Sequence, residues 1–372
     1  MFWKKKRTYL DYAAGAAGNP SSPHEEGRQA KQMLEDARTD IARLLEVQTD
    51  DVIFTSGATE SNALAILGVT KRGDHVLYLP SAHASVVENM KLASERGVKV
   101  EALPIRDTRV DIEALAKMLR PETMFVSMDA VCGETGIIWN TREVAHVLHE
   151  KNKVQPCYKV EPCFLHVDAS QASLTEKMTR AHFSADLLTL DGSKVGVRGI
   201  GALIAHRTIP IAPLYKGGGQ ERGLRSGSEA PELAKRFAAV LRAAALNREA
   251  FCALAERARS ELIKAISTIP NLLVNEGKHQ APHILNISLP GRDTDYLVAL
   301  LDEEGFAVST RSACETDSRT GSRVVFALTG DKERAHATLR VSWGPDIHSG
   351  ELARFAKALT KAVAFVDKSN QG

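Results

Sequence analysis

The sequence lacks paired cysteines. Its five, Cys132, Cys157, Cys163, Cys252 and Cys314, are odd in number and form no C-x-x-C, which argues against a disulfide framework. Cys157 and Cys163 find no second pair or nearby histidine to complete a four-ligand set, so no metal site is expected. No apolar run is long enough to cross a bilayer. The basic opening Met1-Phe2-Trp3-Lys4-Lys5-Lys6-Arg7 has no apolar stretch behind it, so a cytoplasmic chain without a secretory leader is expected. An excess of one charge is also missing: 48 Lys and Arg against 46 Asp and Glu leave a net charge of +2. Overall attraction to nucleic acid or membrane is thereby disfavoured, and a small substrate or a protein partner is expected. Internal repeats and low-complexity tracts are absent.

What remains is an ordinary globular composition, 44% hydrophobic and 25% charged over 372 residues, enough for two or three domains. Apolar positions Ala30, Met33, Leu34, Ala37, Ile41, Leu44 and Leu45 recur at helical spacing and predict an amphipathic helix over 27–47. A short strand is expected at 52–54. Strand-like and helix-like segments then alternate, with strands at 75–79, 99–103, 124–128 and 164–168 and helices at 63–67, 84–96, 111–119 and 141–151. Such alternation predicts a mainly parallel sheet covered by helices. A long helix over 232–266 is expected to cross from a large domain to a smaller one. The smaller one would hold strands at 284–289 and 338–342 and helices at 294–304 and 349–366.

In sheets of this kind ligands collect beyond the carboxyl ends of the strands. Ser56 to Thr59, His83, Asp168 and Lys194 all follow predicted strand ends. The small residues Thr55-Ser56-Gly57-Ala58-Thr59 before a helix suit a phosphate, because a helix start offers free N–H groups and a positive dipole end; plain capping is the simpler alternative. Lys194 ends the apolar run 187–190 and the turn Asp191-Gly192-Ser193, and Asp168 ends the run 164–167. A lysine amine able to form a Schiff base and an acid able to keep a ring nitrogen protonated are the pair that pyridoxal phosphate requires. The segment Val195-Gly196-Val197-Arg198-Gly199-Ile200-Gly201-Ala202-Leu203 is expected to be a glycine-punctuated loop. The glycine-rich 217–228 lacks the spacing and context of a nucleotide-binding loop.

Seven stretches taken together resemble the cysteine desulfurases. They are Tyr9-Leu10-Asp11-Tyr12-Ala13-Ala14, Phe54 to Asn62, His166-Val167-Asp168-Ala169-Ser170-Gln171, 217–228, His283-Ile284-Leu285-Asn286, Ser312-Ala313-Cys314, and Ala335 to Arg340. The resemblance implies a fold-type I pyridoxal phosphate enzyme: a large domain (15–248) with a mainly parallel seven-stranded sheet, and a smaller α+β domain (1–14 and 249–372) that carries the loop of Cys314. It implies that Lys194 holds the cofactor, Asp168 pairs with the ring nitrogen, Gln171 approaches the phenolic oxygen, and His83 stacks on the ring and assists proton transfer. Ala58 and Thr59 would hold the phosphate, joined by Ser228 of a second subunit in a homodimer, and Ser193 would be a further cofactor-binding residue. Arg340 would clamp the carboxylate of L-cysteine. The Cys314 thiolate would take the sulfur as a persulfide, release L-alanine, and pass the sulfur to a protein acceptor such as an iron–sulfur scaffold.

This sequence departs from the family pattern at several places. Asp191-Gly192-Ser193-Lys194 stands for Ser-Gly-His-Lys, and Cys132-Gly133-Glu134 stands for Asn-Asn-Glu. Arg311 stands for a glycine, a helix-length segment is missing between Ala14 and Gly18, and 151–162 looks like an insertion. Two alternatives therefore accompany the desulfurase reading: an impaired scaffold or regulatory partner of sulfur transfer, or a relative acting on selenocysteine or another small amino acid.

Overall fold

A computed structural model describes residues 7–16, 18–154, 162–310 and 321–369. The first helix, α1 (Glu25–Leu45), buries Ala30, Leu34, Ala37, Ile41 and Leu45 as its spacing requires. His24 caps it by accepting the Gly27 N–H, and Glu25 and Glu26 complement its positive end.

The chain then enters strand β1 (Val52–Thr55), helix α2 (Ala58–Val69), β2 (His75–Tyr78), α3 (Ala84–Glu95) and β3 (Lys99–Ala102). A small hairpin follows, β4 (Ile105–Arg106) with β5 (Arg109–Val110), leading to α4 (Ile112–Met118) and β6 (Thr123–Asp129). Next come α5 (Thr141–Val154), β7 (Phe164–Asp168), the short α6 (Arg180–Phe183), β8 (Leu187–Asp191) and β9 (Gly201–Ala205). Seven of these strands form one sheet in the order β1-β9-β8-β7-β6-β2-β3. β2, β3, β6, β7 and β8 are mutually parallel, whereas β9 runs antiparallel to both β8 and β1. The sheet has the seven strands and the mainly parallel character expected of it.

β9 corrects the expected loop. Its residues Gly201-Ala202-Leu203-Ile204-Ala205 are all buried, a short apolar run long enough for a strand between two partners. Gly201 makes this possible: a Cβ there would lie 2.7 Å from the backbone of Gly57.

Helix α7 (Pro231–Ile266) spans both halves of the chain. Its Phe237 and Leu241 belong to the core around the large sheet, and its Leu262 and Ile266 to a second core. That second core is built on a three-stranded sheet, β10 (Leu273–Val274), β11 (Ile284–Ser288) and β12 (Thr338–Ser342), with α8 (Thr294–Glu303) and α11 (Ser349–Ser369). Two short helices, α9 (Arg323–Thr329) and α10 (Lys332–His336), connect back to β12. Residues 7–14, assigned above to the smaller domain, make their polar contacts with the start of α1: Arg7 pairs with Glu26, and Asp11 accepts from Ser22 and bonds His24. Among the described residues no helix is long and apolar enough to cross a membrane.

Candidate active site

Three neighbouring strands end in carboxylates: Asp129 on β6, Asp168 on β7 and Asp191 on β8. The starts of α2 and α3 rise beside them. Together these ends enclose a cleft of about 450 Å³, lined among others by Ala58, Thr59, His83, Asp168, Gln171, Ser193, Lys194 and Arg340. Eight of the ten expected site residues therefore meet in one place. Ser228 does not line this cleft; it is exposed on the loop before α7, where its carbonyl accepts from Arg225. Cys314 lies outside the described residues.

Lys194 sits in a tight turn, Gly192–Val195, directly after β8. Asp191 caps that turn, accepting the Ser193 N–H at 3.0 Å on Oδ1 and the Ser193 hydroxyl at 2.7 Å on Oδ2. The turn needs Gly192, because a Cβ there would meet the Val197 carbonyl at 2.5 Å.

Asp168 is buried, and both of its oxygens are held. Oδ1 accepts the Ser170 N–H at 2.9 Å and the Ser170 hydroxyl at 2.5 Å, and Oδ2 accepts Asn62 Nδ2 at 2.7 Å. The same Asn62 amide donates to Ser85 Oγ at 2.8 Å, so that hydroxyl directs its own proton at His83 Nδ1, 2.8 Å away. The Ser85 N–H also points at Nδ1, at 3.2 Å. His83 Nδ1 is thus placed to accept, which leaves Nε2 to carry a ring proton.

Beneath Asp168 on the same strand, His166 is fully buried between Ser127 Oγ and Thr189 Oγ1. Burial lowers its pKa to about 4, against an opposing pull from Asp168. Sequence reasoning missed Asp129. It faces Asp168 in register across the parallel pair, and burial first, then the Asp168 charge, push its carboxyl well above the usual range.

The opposite wall comes from the smaller domain. Arg340 on β12 reaches across and donates to the Gly133 carbonyl at 3.3 Å. A Cβ on Gly133 would lie 2.8 Å from Gln171 Nε2, so a side chain there would require the Gln171 amide to shift. Beyond Cys314, Ser322 donates to Glu134, and Arg323 donates to the carbonyls of Pro80 and Ala82. On the other side of Cys314 in the sequence, Ser309 pairs with Arg340 through the backbone. Among the described residues, the buried Ser81 Oγ, Asp129 Oδ1, His283 Nδ1 and Trp343 Nε1 have no hydrogen-bond partner, and all four residues line the cleft. A polar ligand would satisfy them.

The sequence pattern of the aminotransferase class-V family matches residues 6–355. The chain is 32% identical over 344 residues to "Cysteine desulfurase IscS 1" of Archaeoglobus fulgidus, covering 90% of this chain and 87% of the relative. It is 33% identical to "Cysteine desulfurase IscS" of Rickettsia bellii, covering 90% of this chain and 82% of that one. Among solved structures, a "NifS-like protein" superposes with a TM-score of 0.85 at 28% identity, over 95% of this chain and 93% of the other.

Proposed function

We propose a specific reaction for this chain, which belongs to the cysteine desulfurases of the aminotransferase class-V family: it takes the sulfur of L-cysteine onto Cys314 and releases L-alanine. The observation that carries the reading is the meeting of Lys194, Asp168 and Arg340 in one cleft, although β8, β7 and β12 supply them separately.

The cleft suits pyridoxal phosphate, the cofactor of this family. Its four unpartnered buried polar atoms call for a polar occupant. An acid already held by Asn62 and Ser170 shares the cleft with a lysine in the turn that follows β8. When bound, pyridoxal phosphate supplies an electron sink that weakens bonds at the substrate carbons. Lys194 Nζ would hold it and move the proton at the substrate Cα. Asp168 would keep a proton on the ring nitrogen. His83, with its Nδ1 lone pair engaged, would use Nε2 for proton transfer, and Gln171, packed over Gly133, would reach the phenolic oxygen.

Arg340 would bind the substrate carboxylate with the part of its guanidinium fork that the Gly133 carbonyl leaves open. Cys314, as thiolate, would then attack the substrate sulfur. The new S–S bond forms as C–S breaks, the C–S electron pair stays on carbon, and a proton delivered there completes alanine. Two copies would form the enzyme, Ser228 of each serving the other's phosphate end. The relatives' designation IscS supports an iron–sulfur scaffold as acceptor; the cytoplasm would be the place of work.

Purified protein given pyridoxal phosphate, L-cysteine and a thiol is expected to release alanine and sulfide in equal amounts. Cys314→Ser should lose the sulfide while keeping the yellow cofactor band. A colourless protein that releases neither product would instead favour the second reading, an impaired scaffold of sulfur transfer, which the carboxylate of Asp191 beside the cleft supports.

A further inference from the structure

We propose that Asp191 already half fills the anion-binding end of α2, and so determines how strongly the cleft prefers a phosphorylated ligand to its unphosphorylated counterpart. This rests on the reading of the cleft as a pyridoxal phosphate site.

Helix α2 opens with Ala58 and Thr59, and Gly57 in front of it supplies no side chain to cap the first amides. Gly57 holds φ 154°, a backbone that favours glycine, and brings those amides to the cleft. A helix start of this kind attracts an anion. Asp191 puts a carboxylate beside it: its Oδ1 lies 3.8 Å from where a Cβ of Gly57 would stand, and Asp191, Ala58 and Thr59 line the same cleft.

The same carboxylate consumes donors. Ser193 lines the cleft, yet its N–H and its hydroxyl both bond Asp191, at 3.0 and 2.7 Å. Neither reaches a phosphate while that turn holds. The charges around this end do not reverse the effect. Lys194, on the same turn, is committed to the aldehyde under the proposed function. Glu60, in the first turn of α2, is tied to Ser56, Tyr215 and the Arg225 guanidinium, a pair that adds no net charge. A phosphate entering here meets a fixed negative charge in place of a free donor pair. A like charge about 4 Å away at an effective dielectric near 20 weakens binding by up to about 1,000-fold, and solvent at this open end reduces that to roughly 100-fold.

The test compares the whole wild-type chain with Asp191→Asn and Asp191→Ser. Asparagine keeps an oxygen for the Ser193 N–H, so the turn survives. Dissociation constants for pyridoxal phosphate and for pyridoxal are read from the absorbance of the Lys194 adduct. Both variants should tighten pyridoxal phosphate by about 100-fold and leave pyridoxal within about twofold. An unchanged or weaker pyridoxal phosphate affinity, or an equal shift for both aldehydes, overturns the proposal while leaving the cofactor reading intact. No adduct at Lys194 with either aldehyde in any of the three proteins removes the cofactor reading, and the proposal with it.

Discussion

Asn62 joins Asp168 to His83. Its single buried amide donates to Asp168 Oδ2 at 2.7 Å and to Ser85 Oγ at 2.8 Å, and that hydroxyl meets His83 Nδ1 at 2.8 Å. One side chain on α2 therefore holds an acid at a strand end and favours one tautomer of a histidine at a helix start. Replacing Asn62 with Ala leaves a buried carboxylate short of a donor, at a cost of about 1–3 kcal/mol. Asn62→Ala should weaken pyridoxal phosphate by about 10- to 100-fold. It should also shift the pH dependence of the cofactor's absorption band, whereas a purely structural role would leave the band's pH profile unchanged.

Gly133 and Gln171 compete for one space. A Cβ at 133 would lie 2.8 Å from Gln171 Nε2 and 3.2 Å from its Cγ. Gly133→Ala should therefore lower cofactor affinity through about 1–3 kcal/mol of overpacking. Adding Gln171→Ala should recover part of that loss, because the two residues touch and their effects do not add. Titration of the four proteins of this cycle with pyridoxal phosphate measures the coupling.

Arg38 and Glu221 form a buried bidentate pair, both contacts at 2.8 Å, and Glu221 also accepts the Phe54 N–H at 2.9 Å. The pair ties α1 to the loop that carries Ser228. Glu221→Ala leaves the guanidinium only Glu35 and the Val52 carbonyl, and should cost about 1–3 kcal/mol by urea denaturation. Arg38→Met with Glu221→Leu should cost less than either single change.

Two buried histidines make folding sensitive to acid. Burial lowers His166 and His283 each to about 4. An unfolded histidine binds its proton near pH 6.5, so between pH 6.5 and 4 the unfolded chain holds more protons and stability falls with pH. The fully buried His166 contributes about 3 kcal/mol to that fall. Urea midpoints should drop from pH 7 to pH 4.5, and His166→Gln should flatten the drop.

The parts of this molecule that could be read from its sequence are those written in one stretch. The apolar runs 164–167 and 187–190 end in Asp168 and in the turn of Lys194, so their place at strand ends followed from local pattern. Glycine spacing at 196, 199 and 201 suggested a loop and concealed β9. Only the seat of Gly201 against Gly57 shows that the last of these glycines serves close strand packing. Asp129 carried no signal, because its importance comes from facing Asp168 across two strands. Ser322 with Glu134, and Arg323 with Pro80 and Ala82, join residues some two hundred positions apart, and no periodicity predicts such contacts. The family resemblance did place Arg340, which local pattern alone would have left as a solvated arginine on an alternating strand.

The proposed chemistry requires Lys194 to carry the cofactor, and borohydride reduction of protein loaded with pyridoxal phosphate, followed by peptide mapping, tests this. A single pyridoxyl group is expected on the peptide containing Lys194 and is absent from Lys194→Ala. A label on another lysine, or no label in yellow protein, would contradict it.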